Sequence, residues 1–281
     1  MKNSYLNNLM SSFYLWLDHE ILYHGEAYTN YSGKLFETAD PNFALSSIYG
    51  SPFRQWVYDT SITGANIISG VFNNGVYEPK NNGLKIDYNR GRAIYVSKNI
   101  GKNITSSYAL KEYNIYYTDE KEEKLIFENA YSVTPKINAI TGSLNYLDRP
   151  FPCIFIKNTN IQNYPFSFGG QDSTESMVRC IILASNSFSL DSLLSLLNDS
   201  NKKNIPIFDS KELPFDIYGD IKSGINFNYK NYASFVSVQD YSFIKNVTVS
   251  KLSEVENSKI NKKCLAALVD FELSSVRSPR K

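Results

Sequence analysis

The sequence predicts a strand-rich α+β protein: an N-terminal amphipathic helix, an antiparallel β domain, and a C-terminal α/β sheet domain with one helix. Three observations carry this prediction. Apolar residues near the N-terminus recur at helical spacing. Between residues 71 and 158, alternating stretches rich in Tyr, Ile and Val are separated by Asn/Gly turns. After residue 166, long apolar runs flank a single leucine-rich segment. Alternation marks half-buried strands, whereas a stripe of period 3.6 marks a helix.

The elements follow in chain order. Residues 5–24 place Leu6, Leu9, Met10, Phe13, Leu17 and Ile21 on one stripe, broadened by Trp16 and Leu22, and Gly25 ends the helix. This helix packs either on its own chain or on a neighbouring subunit. Residues 25–70 read as a loop-rich arm with short aromatic pieces such as YGSPFRQWVY. VFNNGVY (71–77) and LKIDYNRGRAIYVS (84–97) read as hairpins. ALKEYNIYYT (109–118), KLIFE (124–128) and PCIFIK (152–157) follow as strands, and a small sandwich or barrel is the expected shape. SMVRCIILAS (176–185) reads as a buried strand. SLDSLLSLLND (189–199) reads as a helix with Ser189 as N-cap and Leu190, Leu193, Leu194 and Leu197 on one face. NIPIFD (204–209) is a short strand, SFVSVQDYSFIKNVTVSKL (234–252) reads as two strands, and CLAALVDFELSSVR (264–277) as a final long one. The expected division is 1–70 for the helix and arm, 71–165 for the antiparallel domain and 166–281 for the α+β domain.

Composition narrows the function. The chain has 281 residues, and its 29 basic and 28 acidic side chains leave a net charge of +1 without a basic stripe. This argues against a dedicated nucleic-acid binder. The 30 Asn and the excess of Lys over Arg, 22 to 7, point to an A/T-rich genome. Cys153, Cys180 and Cys264 are widely spaced in apolar runs and read as buried free thiols. No secretory signal opens the chain and no apolar run approaches ~18 residues, so a soluble protein made in a reducing cytoplasm is expected. The DEKEEK run (119–124) reads as a solvated turn.

The search for chemistry starts at WLDHEILYHGE (16–26), which holds both histidines. A zinc-protease helix needs histidines four residues apart. His19 and His24 are five apart, which is roughly 140° around the axis, so their rings diverge. They read as polar positions on the helix. The Gly-Lys pairs at 33–34 and 101–102 lack the earlier glycine of a phosphate loop, and G-x-S-x-G is absent. With both histidines on the first helix, a Cys–His nucleophile is disfavoured. GGQDSTES (169–176) reads as a tight turn feeding a strand rather than an anion nest. No catalytic, cofactor-binding or metal-ligating residue is nominated. No cofactor and no membrane partner are expected.

The pieces FYLWLDHEILYHGEAY, YGSPFRQWVYD, RPFPCIFI, NYPFSFGGQDSTESMVRCIILASNSFSLDSLLSLL and CLAALVDFELSSVR together resemble virion structural proteins of tailed phages of marine and cyanobacterial type. Residues 166–277 also resemble, in element order, the tail-terminator or tail-completion fold of phage necks. The resemblance implies a non-enzymatic ring of like subunits in the virion, joining tail to head and bound to neighbouring neck and tail proteins by strand addition and exchanged termini. The alternatives are a carbohydrate-binding or host-recognition module, whose rings would stack on sugars in one concave patch, and a glycan hydrolase, whose paired acids would line a cleft.

Overall fold

The computed structural model describes residues 5–51, 55–98, 103–128, 152–166, 170–209, 213–222, 226–235, 241–252 and 265–277. It is a strand-rich α+β fold of two four-stranded sheets and one six-stranded sheet, with an N-terminal helix between them.

Helix α1 spans Tyr5–Tyr23, and Gly25 closes it by donating its N–H to the Ile21 carbonyl. The stripe is broader than the spacing predicts, because Ser12, Leu15, Asp18 and His19 are buried beside the apolar set. A helix buried almost all round is central, not peripheral. On one side Phe13 and Trp16 meet the Phe271 ring edge-on, at 5.1 and 5.9 Å between centroids. On another, Leu22 packs with Val57, Ile62 and Ala109. In this chain the helix packs on its own body.

The segment expected as a loop-rich arm supplies three strands: β1 (Tyr28–Lys34), β2 (Phe36–Thr38) and β3 (Ser47–Gly50). Their short, exposed or Gly/Ser-broken sequences hide the alternation, and pairing with later strands creates them. Both expected hairpins form, as β4 (Gly70–Asn73) with β5 (Val76–Pro79) and β6 (Leu84–Asp87) with β7 (Arg92–Tyr95). In the first, Asn74 and Gly75 have φ of 50° and 86°, the doubly left-handed turn that suits strand twist. Strand β8 (Ile104–Lys111) completes the sheet β1-β8-β4-β5, and the other sheet runs β2-β3-β7-β6. Val71, Ile104 and Tyr108 from the first share one cluster with Tyr49, Ile86 and Tyr95 from the second, so both sheets contribute to a common core.

Residues 109–118 are not one strand. The chain bends at Glu112–Tyr113, and β9 (Asn114–Tyr117) joins the six-stranded sheet instead. KLIFE is also not a strand: Lys124–Glu128 is a wide helical turn that lays Leu125 and Ile126 on the outer face of that sheet. Its aromatic and β-branched content suits a strand, but tertiary packing overrides so short a preference.

The six-stranded sheet comprises β9, β10 (Cys153–Pro165), β11 (Asp172–Ala184), β12 (Asn204–Pro206), β13 (Tyr241–Lys251) and β14 (Leu265–Arg277), in the order β12-β13-β14-β11-β10-β9. All pairs are antiparallel except β9 with β10. Strands β11 and β14 stay in register from Asp172↔Arg277 to Ala184↔Leu265. Helix α2 (Ser187–Asn198) packs Leu190, Leu193, Leu194 and Leu197 on the inner face. Its N-cap is Asn186, not Ser189: the Asn186 side chain accepts from the Ser189 N–H at 2.8 Å. Residues 234–252 hold one described strand, because helix α3 (Tyr229–Phe235) occupies the start of that stretch and residues 236–240 lie outside the described set. Cys264 and the tail from residue 278 also lie outside it.

One core cluster runs through α1, the two four-stranded sheets, the inner face of the large sheet, α2 and α3. The three sequence regions therefore share a core, and β9 and β10, from the middle region, are strands of the C-terminal sheet.

Candidate functional site

The margin of the large sheet carries the feature with the clearest capacity to act. Strand β9 covers β10 only from Cys153 to Ile156. From Lys157 to Pro165, β10 has no partner on that side among the described residues, and residues 159–165 are exposed. An unpaired strand presents a row of N–H and C=O groups that can template another chain.

The neighbouring margin is sealed in a telling way. Gln55, 2% exposed, uses its side-chain amide as a strand would: Nε2 donates to the Ile115 carbonyl at 2.8 Å and Oε1 accepts from the Ile115 N–H at 2.9 Å. At Ile115 the far side of β9 is thus bonded by a side chain, while the extension of β10 has no strand beside it among the described residues. Lys157, a bulge between Asn158 and Asn160, and Pro165 guard the ends of the open stretch. Between them lies Asn160–Tyr164, an uncharged, strand-length run with Ile161 and Tyr164 exposed.

Beside this margin, on the inner side, is a pocket of about 350 Å³ lined by Asn7, Met10, Ser11, Tyr14, Leu15, Asn89, Tyr117, Leu213 and Phe215. Tyr117 is the last residue of β9, opposite Ile156, where the open margin begins. None of the lining side chains is charged. The Tyr14 hydroxyl donates to Asn89 Oδ1 at 3.2 Å, and burial holds that phenol well above its ordinary range, so it stays a donor.

His19 and His24 do diverge, but they are not both surface positions. His24 is about half exposed, near Glu20 at 3.7 Å. His19 is 6% exposed, and its ring lies against Tyr229 and Tyr23. Its Nδ1 sits 2.8 Å from Asp59 Oδ2. Asp59 also accepts from the Ser61 N–H, the Ser61 hydroxyl and the Tyr229 N–H. Burial opposes ionisation of Asp59, but these hydrogen bonds outweigh it and lower the carboxyl below its usual range. A nucleophilic triad needs the acid on one ring nitrogen and the hydroxyl on the other. Here Ser61 Oγ lies 3.4 Å from the same Nδ1 that faces Asp59. The arrangement fastens α1, the 59–61 loop and the start of α3 together.

The other charged clusters are likewise saturated with partners. Lys111 Nζ meets Asp18 at 2.6 Å with both side chains buried. Arg92 joins Asp40 and Asp87 at 2.7 and 2.8 Å. Arg179 grips Asp270 and Glu122 on the outer sheet face, which places part of the DEKEEK run in an ion-pair network rather than in solvent. Cys153 and Cys180 are buried, and burial pushes the Cys180 thiol far above the range of a reactive cysteine. Among the described residues no group of three or more His, Cys, Asp and Glu has metal-binding geometry. At the turn of GGQDSTES, Gly170 takes φ 79° and the Phe166 N–H donates to the Gln171 carbonyl, closing the β10–β11 hairpin. Both tryptophans are in the core, at 2% and 0% exposure. The exposed tyrosines Tyr23, Tyr77, Tyr117 and Tyr164 belong to four different elements, and the exposed Phe188, Phe235 and Phe243 to three more.

Sequence reasoning missed the seal and the pocket. Gln55 lies in a loop and Asn89 in the turn of the 84–97 hairpin, and only the tertiary structure brings them to β9 and α1.

No protein-family model matches this sequence, and no curated protein is significantly similar to it. No helix among the described residues is long and apolar enough to cross a membrane.

Proposed function

We propose that this protein is a non-enzymatic structural component of a tailed-phage virion, a ring-forming neck or tail-completion protein that binds neighbouring chains by strand addition. The observation that carries the reading is that, among the described residues, no strand pairs with Lys157–Pro165 of β10 on its outer side, in a sheet where Gln55 bonds the adjoining margin at Ile115. Main-chain hydrogen bonds along an added strand give affinity that tolerates varied side chains, and repetition around a ring multiplies weak contacts by valency. The saturated polar clusters fit the same reading, since they fix shape and leave few side chains for bond-making.

Asn160→Lys with Gln162→Lys tests it. Both positions are exposed, so the fold should persist by circular dichroism, while edge lysines oppose strand addition. The expected result is that the unaltered chain sediments as a multi-subunit species at micromolar concentration and the double variant as a monomer. An unaltered chain that stays monomeric at all concentrations, or a variant that assembles equally well, overturns the proposal.

A further inference from the structure

We propose that the ammonium of Lys111 and the carboxylate of Asp18 condense in the folded chain to an amide, a covalent staple between α1 and β8. This is independent of the strand-addition reading and needs no partner chain.

Three observations single out the pair. The first is reach. Lys111 Nζ lies 2.6 Å from Asp18 Oδ1 across 93 positions of sequence. The carboxyl carbon behind that oxygen is then near the roughly 3–3.5 Å at which held reactants attack. The second is dryness. The two side chains are 2% and 3% exposed, and the buried Tyr58 sets its ring 4.5 Å from Nζ. Excluding water slows hydrolysis of an amide once it has formed. The third is the hydrogen-bond inventory. An ammonium carries three donors. Among the described residues, Nζ donates to one acceptor, Asp18, and faces one ring. The desolvation of two ions is offset only by close geometry and further hydrogen bonds. Arg179 has these, with four hydrogen bonds spread over Asp270 and Glu122. Lys111 has the close geometry without the further bonds. An amide removes both charges and leaves a single N–H.

The step balances within the pair. One proton passes from Nζ to the carboxylate, giving a neutral amine beside a carboxylic acid. Burial favours the amine, lowering the Lys111 pKa although Asp18 opposes the shift. A desolvated lysine amine is a nucleophile. Its lone pair attacks Asp18 Cγ, one Cγ–O bond breaks, and the departing hydroxyl takes a second Nζ proton and leaves as water. No oxidant, metal or second substrate is consumed. The reaction starts from the buried ion pair and so follows folding. Its product ties the central helix to the sheet and, like a disulfide, constrains the unfolded chain.

Mass spectrometry of the full chain in denaturant tests the bond. The expected mass is one water below that of the sequence. In a tryptic map, residues 3–34 should appear joined to residues 103–121, uncut after Lys111. Lys111→Met should show the full mass of its own sequence and no joined peptide, with melting curves to check that it folds. Should that variant fail to fold, the joined peptide of the unaltered chain decides alone. An unaltered chain of full mass, with residues 103–111 released as a free peptide, overturns the proposal. So does a loss of water that persists in Lys111→Met or maps to other residues.

Discussion

Lys111 and Asp18 show what single residues contribute. Each is almost fully buried, they meet at 2.6 Å, and the ammonium also lies 4.5 Å from the centre of the Tyr58 ring. Burial lowers the Lys111 pKa although Asp18 opposes the shift. Such a pair adds little net stability, but removing one member strands a buried charge. Lys111→Ala should cost about 3–5 kcal/mol in urea denaturation, and Lys111→Met, in combination with Asp18→Leu, much less. Tyrosines set the alkaline limit. Burial raises the phenols of Tyr14, Tyr58, Tyr88, Tyr95 and Tyr229, and pushes Tyr108 and Tyr113 to about 12. Each raised phenol contributes stability that is full below the unfolded value near ~10 and is lost as pH rises toward the folded value. The lowered Lys111 acts in the opposite sense, but it is one group against many. Stability should therefore fall steeply above about pH 10, and Tyr108→Phe should flatten the fall, as read from urea midpoints between pH 8 and 11.5.

At the scale of elements, α1 is the part whose role the structure changes most. Its apolar spacing was legible, yet spacing cannot say which chain the stripe faces. Phe13 and Trp16 on Phe271, Leu22 on Val57 and Ala109, and Lys203 on Glu20 at 2.6 Å place it in the shared core. Deleting residues 1–24 should accordingly give an insoluble or unfolded chain rather than a folded one deficient in assembly. Trp16→Ala alone should cost about 3–5 kcal/mol of unfolding free energy. The β4–β5 turn behaves more locally: Gly75→Ala, at φ 86°, should cost about 1–2 kcal/mol and leave the other sheets intact by amide exchange. Helix α2 was legible down to its four buried leucines, and only its cap lay one turn earlier, because Asn186 outcompetes the serines that follow it.

At the scale of the whole molecule, the two four-stranded sheets, α1 and the inner face of the large sheet share one core, and Leu125 and Ile126 bury part of the outer face with Phe155, Ile181 and Leu183. What the sequence by itself determined was element type, where period and turn chemistry act over a few residues: the Asn74–Gly75 hairpin, the α2 stripe, the long β11 and β14 runs. What only the tertiary structure decided was pairing. Strands β1–β3 exist because later strands receive them, and β9 leaves the direction of β8 to run parallel to β10. Gln55 bonds Ile115 of β9 as a neighbouring strand would, and Asn89 meets Tyr14 from 75 residues away. The division follows from range. Local preference is written in neighbouring residues, whereas strand pairing and a pocket are defined by which distant segments arrive.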